Sequence, residues 1–220
     1  MTNEYIPFLS KIKEIVKHTE TEYTFRMTYV GEVRPGQFFE VSIPKYGEAP
    51  ISVSGIGEDY VDLTIRKVGK VTGEIFELNE GSCFFMRGPY GNGFEKENYQ
   101  GKELIVVAGG TGVSPVRGVI SYFGEHPDEV KKLHTILGFK SPSDILFRED
   151  LKIINDRLKH LINFIHIFHM DSFNFESLTS GNMDLSVSIF SGNIHHLLHN
   201  VCITAPSRNT NSGSRKPTDL

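Results

Sequence analysis

The residues best suited to chemistry lie in a glycine-rich turn, Gly109-Gly110-Thr111-Gly112, which follows the apolar run LIVVA. Glycine lets the backbone adopt positive φ angles and lets a ligand approach the main chain closely. A turn that opens a helix also offers unpaired N–H groups, and together with the helix dipole these favour an anion. The turn therefore predicts a cradle for a pyrophosphate, and a bend with a purely structural role is the alternative.

The residues after the turn predict where the helix begins. Ser114 is a favourable N-cap, and Pro115 would then hold the first helical position, where a missing N–H is tolerated. The spacing GGTG differs from G-x-G-x-x-G, and no acidic residue stands at the end of the next strand. Ser114 also lacks His and Asp partners, so a cap is favoured over a nucleophile.

A second run with phosphate-binding chemistry, IRKVGKVTG, extends over residues 65–73. It combines two or three cations, a glycine, a hydroxyl and the start of a short helix. Two anion sites on adjacent domains predict two bound nucleotides. The alternative is that Arg66 and Lys67 are solvated strand residues.

The elements that must position these two runs fall into two domains. Between residues 10 and 87, six short β segments alternate with turn signals, and a short helix, GEIFEL, precedes the last of them. This pattern predicts an antiparallel β-barrel. From residue 101 the order is strand, helix, strand, helix, with the helices over residues 114–125 and 143–160, which predicts a parallel α/β sheet. The polar stretch GPYGNGFEKENYQGK is the expected junction.

Composition limits the function classes. A net charge of −4 and a pI near 6.1 give no basis for a nucleic-acid partner. No apolar run approaches the roughly 18 residues of a membrane span, and the first residues are too charged for a signal peptide, so we expect a cytoplasmic protein without a membrane partner. Cys83 and Cys202 are too few for four-thiolate ligation, so we expect no [2Fe-2S] cluster in this chain.

The segment after residue 160 differs in composition, because it carries few charged residues and most of the histidines. LINFIHIF is a candidate third strand, and residues 205–220 have a composition typical of disorder. His195, His196 and His199, with His166 or His169, are an alternative zinc set, but no carboxylate or cysteine completes it, and we expect no metal site. We therefore expect three parts: residues 1–99, residues 100–160 and a divergent, partly disordered segment over residues 161–220.

Together these features resemble the ferredoxin reductase family over about residues 8 to 160. Within it, the segments EAPISVSGI, LTIRKVGKVTGEIFEL, RGPYGNGF and VVAGGTGVSPVRGVI are most similar to the B subunits of anaerobic sulfite reductases. The electron-transfer subunit of dihydroorotate dehydrogenase is similar over the same blocks. The resemblance implies an FAD-binding antiparallel β-barrel followed by a parallel α/β domain that binds NADH or NADPH, here incomplete or divergent at its C-terminal end.

The resemblance also implies which residues bind the two cofactors. Ser52 would face the flavin ring, although Ala49 and Ile51 replace the arginine and tyrosine of the family's R-x-Y-S motif, which shifts the phosphate charge to Arg66. The implied FAD-binding residues are Pro50, Ile51, Ser52, Val53, Ile65, Arg66, Lys67, Gly69, Lys70, Val71 and Thr72. The implied residues of the nicotinamide-nucleotide loop are Gly109, Gly110, Thr111, Gly112, Ser114 and Pro115. The implied loop between the cofactors is formed by Gly88, Pro89, Tyr90, Gly91, Asn92, Gly93 and Phe94.

The chemistry that this resemblance implies is hydride transfer from NADH to FAD, followed by release of electrons to a partner. No catalytic side chain is required, because the cofactors carry the reaction. The implied partners are iron-sulfur and sirohaem-containing subunits of a sulfite-reducing complex, and a non-catalytic flavin-binding module is the alternative class. Lys140 is a further candidate, as a contact for the adenosine ribose or its 2'-phosphate.

Overall fold

The computed structural model describes residues 5–157, 165–169 and 201–204. The first domain is a closed antiparallel barrel with the strand order β1-β2-β5-β4-β3-β6, as the alternating pattern predicts. Its interior is filled by fully buried apolar side chains, among them Phe25, Phe39, Leu63 and Phe84. The strands are β1 (Phe8–Lys17), β2 (Glu22–Thr28), β3 (Phe38–Ile43), β4 (Gly47–Ile56), β5 (Tyr60–Arg66) and β6 (Cys83–Tyr90).

A short helix, α1 (Lys70–Phe76), lies between β5 and β6. It buries Val71 and Ile75 in the barrel core. The helix begins three residues before the predicted GEIFEL segment, because the Thr72 hydroxyl accepts hydrogen bonds from the N–H groups of Val68 and Gly69 and so closes the first turn early.

The second domain is a four-stranded sheet with the order β10-β7-β8-β9, covered by helices. β7, β8 and β9 are parallel, as predicted, and Gly109 at the end of β7 lies in register with Gly138. β10 runs antiparallel to β7, which the sequence pattern did not indicate. The elements are β7 (Glu103–Gly109), α2 (Val113–Glu125), β8 (Lys132–Phe139), α3 (Arg148–Arg157), β9 (Ile165–His169) and β10 (Val201–Thr204).

The starts of two further helices also differ from the prediction. α2 begins at Val113 with Gly112 as its N-cap, because a 3-10 turn over Gly110–Gly112 winds directly into the helix. Ser114 is therefore not the cap, and Pro115 is not the first helical residue. α3 begins later than predicted, since Phe147 has a left-handed φ of 53° immediately before it. No helix in the described part of the chain is long and apolar enough to cross a membrane.

The two domains dock through α2, which packs against β4 of the barrel. Gly118 faces the Arg34-Pro35 turn so closely that a Cβ at this position would lie 2.9 Å from Pro35 Cγ and 3.0 Å from its Cβ. Only a residue without a side chain permits this approach. The distance between the helix and the barrel is therefore set by steric contact at Gly118.

Arg117 adds a polar anchor at the same interface. Its guanidinium donates to the Ser54 carbonyl at 2.9 Å in the barrel and to Asp150 Oδ2 at 2.8 and 2.5 Å in the second domain. The buried Asp62 lies 3.6 Å from Arg117 Nη1 and accepts two hydrogen bonds from Arg26. A carboxylate removed from water needs such partners, so Asp62 stabilises the docked position of Arg117.

His18 extends this interface to the β1–β2 hairpin. Its ring packs edge-on against Phe147 with the centroids 4.8 Å apart, and Nε2 lies 2.7 Å from the Thr24 hydroxyl. Burial lowers the pKa of His18 and the Arg117 charge lowers it further, whereas Asp150, Glu22 and Asp62 oppose this shift. The docked protein therefore favours the neutral imidazole.

Gly118→Ala should destabilise the protein, whereas the same change in α1, Gly73→Ala, should stabilise it. Alanine is favoured over glycine in a helix by about 1 kcal/mol, and nothing lies within 4 Å of a Cβ at Gly73. At Gly118 the clash with Pro35 should outweigh this gain, for a net loss of about 1–2 kcal/mol. Urea unfolding of both variants measures the change in the free energy of unfolding that each substitution causes. A Gly118→Ala variant more stable than wild type would contradict close docking.

His18→Gln should reduce the loss of stability on acidification. The unfolded chain takes up a proton at this residue near the ordinary histidine pKa of 6.5, whereas the folded protein does so only at lower pH. The free energy of unfolding therefore decreases as the pH falls below about 6.5, and the substitution removes the part of this decrease that is due to His18. Urea unfolding at pH 7.5 and 5.5 tests this, with the exposed His126→Gln as the matched control. Equal losses in wild type and His18→Gln would disprove it.

Candidate functional site

A cavity of about 350 Å³ lies where the start of α2 meets the barrel. Its walls bring together two of the three predicted groups of binding residues, which are more than 35 positions apart in sequence. The predicted residues that line it are Pro50, Ile51, Ser52, Arg66, Gly69, Lys70, Val71, Thr72, Thr111, Ser114 and Pro115. The site is therefore built by both domains.

The barrel supplies one wall through β4 and the end of β5. Pro50 and Ile51 present apolar surface, Ser52 contributes a hydroxyl group, and the buried Thr64 also lines this wall. Thr64 donates to Ser54 Oγ at 2.7 Å and lies 2.8 Å from the Thr24 hydroxyl, so its position is fixed from inside the barrel. This mixture of flat apolar surface and few oriented polar groups is typical of cofactor pockets.

The cations predicted next to this wall separate into two environments. Arg66 lines the cavity and pairs with Glu22 at 3.1 Å. Lys67 is outside the cavity, where it pairs with Glu77 at 3.2 Å and lies over the Phe76 ring. Lys67 follows the last residue of β5, and of these two residues only Arg66 lines the cavity.

The connection from β5 to α1 forms the polar end of the cavity. The Thr72 hydroxyl donates to the Gly69 carbonyl at 3.2 Å and accepts from the Val68 and Gly69 N–H groups at 3.0 and 2.9 Å. Its hydrogen bonds thus serve the turn itself. The predicted role of this segment in holding phosphate then falls to Lys70 and to main-chain amides of the first turn of α1.

The second domain supplies the opposite wall through Thr111, Ser114 and Pro115. The lining residues do not include Gly109, Gly110 or Gly112. These glycines belong to the turn that immediately precedes the start of α2, where Ser114 lies. The side chain of Ser114 is 3% exposed. Within the described residues, its Oγ is the one buried side-chain oxygen or nitrogen atom without a hydrogen-bond partner.

Several predicted residues lie away from the cavity. Val53 and Ile65 are buried in the barrel core, so their side chains serve folding. The loop between the cofactors does not line the cavity either. Gly88, Pro89 and Tyr90 continue β6, and Phe94 packs against the core of the second domain. The Gly91 carbonyl accepts from Gln37 at 2.8 Å.

Glu48 lies at the rim of the cavity and was not predicted from the sequence. Arg87 donates two hydrogen bonds to its carboxylate, at 3.1 and 2.7 Å, and these lower the pKa of Glu48. Thr64 was also missed, although a signal existed: it is two residues before Arg66 and so shares its strand face. Tyr46, Ala49 and Val68 complete the unpredicted lining.

A larger cavity of about 940 Å³ lies on the other side of the docked helix. Its cations are engaged within the protein, since Arg34 pairs with Glu95 and Lys96 donates to the Tyr122 hydroxyl. Lys140 is exposed after β8 and lines neither cavity. In the part of the chain that the structure describes, no three metal-ligating side chains cluster, and His195, His196 and His199 lie outside that part.

The residues of the smaller cavity fit a flavin nucleotide. Its volume is at the lower end of the roughly 300–1,000 Å³ of small-molecule pockets, so it suits one ring system with the phosphates at the mouth. Apolar faces at Ile51 and Pro115 suit a ring, and Arg66 and Lys70 suit phosphates. The unpartnered Ser114 hydroxyl also indicates a polar ligand, because buried polar groups are normally satisfied.

Comparison with known sequences finds similarity to oxidoreductases. The oxidoreductase NAD-binding domain family matches residues 106–188, so the similarity continues past residue 160, where the motifs predicted it to stop. The sulfhydrogenase 2 gamma subunit of Pyrococcus furiosus is 36% identical over 68% of this chain and 54% of its own length. A probable dihydroorotate dehydrogenase B (NAD(+)) electron transfer subunit of Thermoplasma volcanium is 32% identical over 63% of this chain and 50% of its own. The chain thus spans about half the length of these curated relatives.

Solved structures share the fold. The ferredoxin-NADP+ reductase of Plasmodium falciparum superposes with a TM-score of 0.64 at 18% identity, covering 76% of this chain and 72% of that one. An NADH-dependent reduced ferredoxin-NADP oxidoreductase gives a TM-score of 0.60 at 22% identity, over 74% of this chain and 60% of that one. The barrel and the α/β domain thus have the ferredoxin-NADP+ reductase fold, and the sequence matches show that the chain is similar to oxidoreductase NAD-binding domains and to the gamma and electron transfer subunits named above.

Proposed function

We propose that this chain is a flavin-dependent electron-transfer subunit, which passes electrons from NADH through FAD to a partner protein. The cavity between the barrel and α2 is the observation that carries this proposal. It unites most of the residues that the sequence assigned to FAD with the first turn of the nucleotide-binding domain. A flavin held there would be covered by the domain that binds its hydride donor.

The residues of the chain act by binding, orienting and excluding water. Pro50 and Ile51 would support one face of the ring, and Ser52 would offer a hydroxyl at its edge. Arg66 and Lys70 would neutralise the phosphates. FAD, when bound, supplies hydride acceptance and the release of single electrons, so the protein itself needs no general acid or base.

The purified chain should therefore bind FAD and lose its yellow colour when NADH is added. Flavin absorbance before and after NADH under anaerobic conditions measures both properties. A yellow protein that is inert to NADH would favour a non-catalytic flavin-binding module, and a chain that binds no FAD would refute the proposal.

Two adjacent cations give matched variants for this experiment. Arg66→Ala should weaken FAD binding about tenfold, the effect expected for loss of one charge-assisted contact. Lys67→Ala should leave FAD binding unchanged, because Lys67 is paired with Glu77 outside the cavity. Equal losses from both variants would indicate a general charge effect instead of the proposed site.

For the partner, we propose iron-sulfur and sirohaem-containing subunits of a sulfite-reducing complex, on the basis of the sequence motifs. The relative in Thermoplasma volcanium favours a second candidate, electron transfer with a dihydroorotate dehydrogenase. The same FAD site would serve both, since the partner decides the final acceptor.

A tagged chain purified with its partner from the native cell distinguishes these candidates. Sirohaem absorbance together with NADH-dependent sulfite reduction is the expected result. A complex without sirohaem that reduces NAD+ with dihydroorotate would replace the first candidate by the second.

A further inference from the structure

Ser114 is exceptional among the buried hydroxyl groups of the described residues. Ser54 donates to the Asp62 carbonyl, Thr24 and Thr64 bond to each other, and Thr72 bonds to its own turn. Ser114 is as buried as these residues, yet its Oγ has no partner in the described protein. A buried polar group without a hydrogen-bond partner costs free energy and is rare in folded proteins. Such a group therefore indicates that a ligand supplies the partner.

The helix itself does not use this hydroxyl. The N-cap of α2 is Gly112, so Ser114 is already inside the first turn. Serine within a helix can bond to a carbonyl one turn earlier, but Ser114 does not do so here. Its acceptor must therefore come from outside the helix.

The position of Ser114 favours an acceptor in the cavity. Ser114 lines the cavity together with Ser52 of β4. It lies one helical turn before Arg117, whose guanidinium donates to the Ser54 carbonyl, two residues after Ser52. Arg117 thereby holds the Ser114 end of α2 over the strand segment that faces the flavin ring in the proposed function.

The charge distribution indicates which part of the ligand Ser114 meets. The cavity's cations, Arg66 and Lys70, belong to the barrel side. The residues that α2 and the preceding turn contribute are Thr111, Ser114 and Pro115, which carry no charge. Phosphates should therefore lie toward the barrel loop, which leaves the ring system, with its nitrogen and oxygen acceptors, next to Ser114.

We propose that the Ser114 hydroxyl donates a hydrogen bond to the ring of the bound flavin. This inference rests on the proposed function, because FAD is the occupant. It reassigns Ser114 from the nicotinamide-nucleotide loop to the flavin site. The nucleotide-binding domain then contributes directly to FAD affinity.

Ser114→Ala should produce two effects of opposite sign. Without FAD, the variant should melt about 2–4 °C above wild type, because an unsatisfied buried hydroxyl is removed. With FAD, its dissociation constant should rise about three- to tenfold, as expected for loss of one hydrogen bond. Thermal unfolding of the FAD-free chain and fluorescence titration with FAD measure the two effects.

Ser121→Ala on the same helix is the matched control, since Ser121 lines the larger cavity and not the flavin cavity. It corrects the melting temperature for the helix propensity of alanine and should leave FAD binding unchanged. Titration with riboflavin, which lacks phosphate, separates ring from phosphate contact. A ring contact predicts the same fold loss for riboflavin as for FAD in Ser114→Ala.

Three results would overturn the assignment while leaving FAD binding by wild type intact. These are a lower melting temperature of FAD-free Ser114→Ala relative to Ser121→Ala, an unchanged FAD dissociation constant, and a loss seen with FAD but not with riboflavin. Failure of the wild-type chain to bind FAD would overturn the proposed function together with this inference.

Discussion

The hydrogen bonds of Arg117 hold the two domains of this protein in one relative position. Its guanidinium reaches Ser54 in the barrel and Asp150 in the second domain, beside the buried Asp62. Interfaces between domains of one chain often allow motion. Here a buried carboxylate and the steric contact at Gly118 oppose it. The cavity depends on this docking, because each domain supplies only one of its walls.

The residues on the two walls of the cavity differ in whether their polar groups already have partners within the protein. Thr72 and the N–H groups of Val68 and Gly69 satisfy one another, so this segment keeps its shape without a ligand. Arg66 lines the cavity and pairs with Glu22 at 3.1 Å, which restricts the motion of its side chain. Most of the barrel wall is thus organised in advance, and preorganised groups lose little conformational freedom on binding. On the opposite wall, the Ser114 hydroxyl has no hydrogen-bond partner in the described protein.

The replacement of two motif residues can be understood from the cavity. The family motif places an arginine and a tyrosine where this chain has Ala49 and Ile51. Both small or apolar side chains pack against the barrel core, and Arg66 of the neighbouring strand brings a cation to the cavity. A positive charge is therefore available to the cavity from a different strand.

Local sequence patterns determined the elements and the chemistry of the turns. Alternation over residues 10–87 specified six strands, since a strand with one buried face must place apolar side chains at every second position. The β-α-β-α order specified the parallel strands, and glycines and cations marked the two segments that we propose to bind phosphate. Helix boundaries were less predictable: the 3-10 turn before α2 and the left-handed Phe147 before α3 depend on packing that spacing does not encode.

Tertiary structure alone decided which predicted residues share a site. Arg66, the last residue of β5, lines the cavity and Lys67 lies outside it, and barrel closure buried Val53 and Ile65. The docking of α2 brought Ser114 to the wall opposite Ser52, a relation between residues distant in the chain. Sequence thus determined what each segment can bind, because that depends on local residue types. Only packing between domains determined where a ligand is enclosed, because enclosure requires surfaces from both.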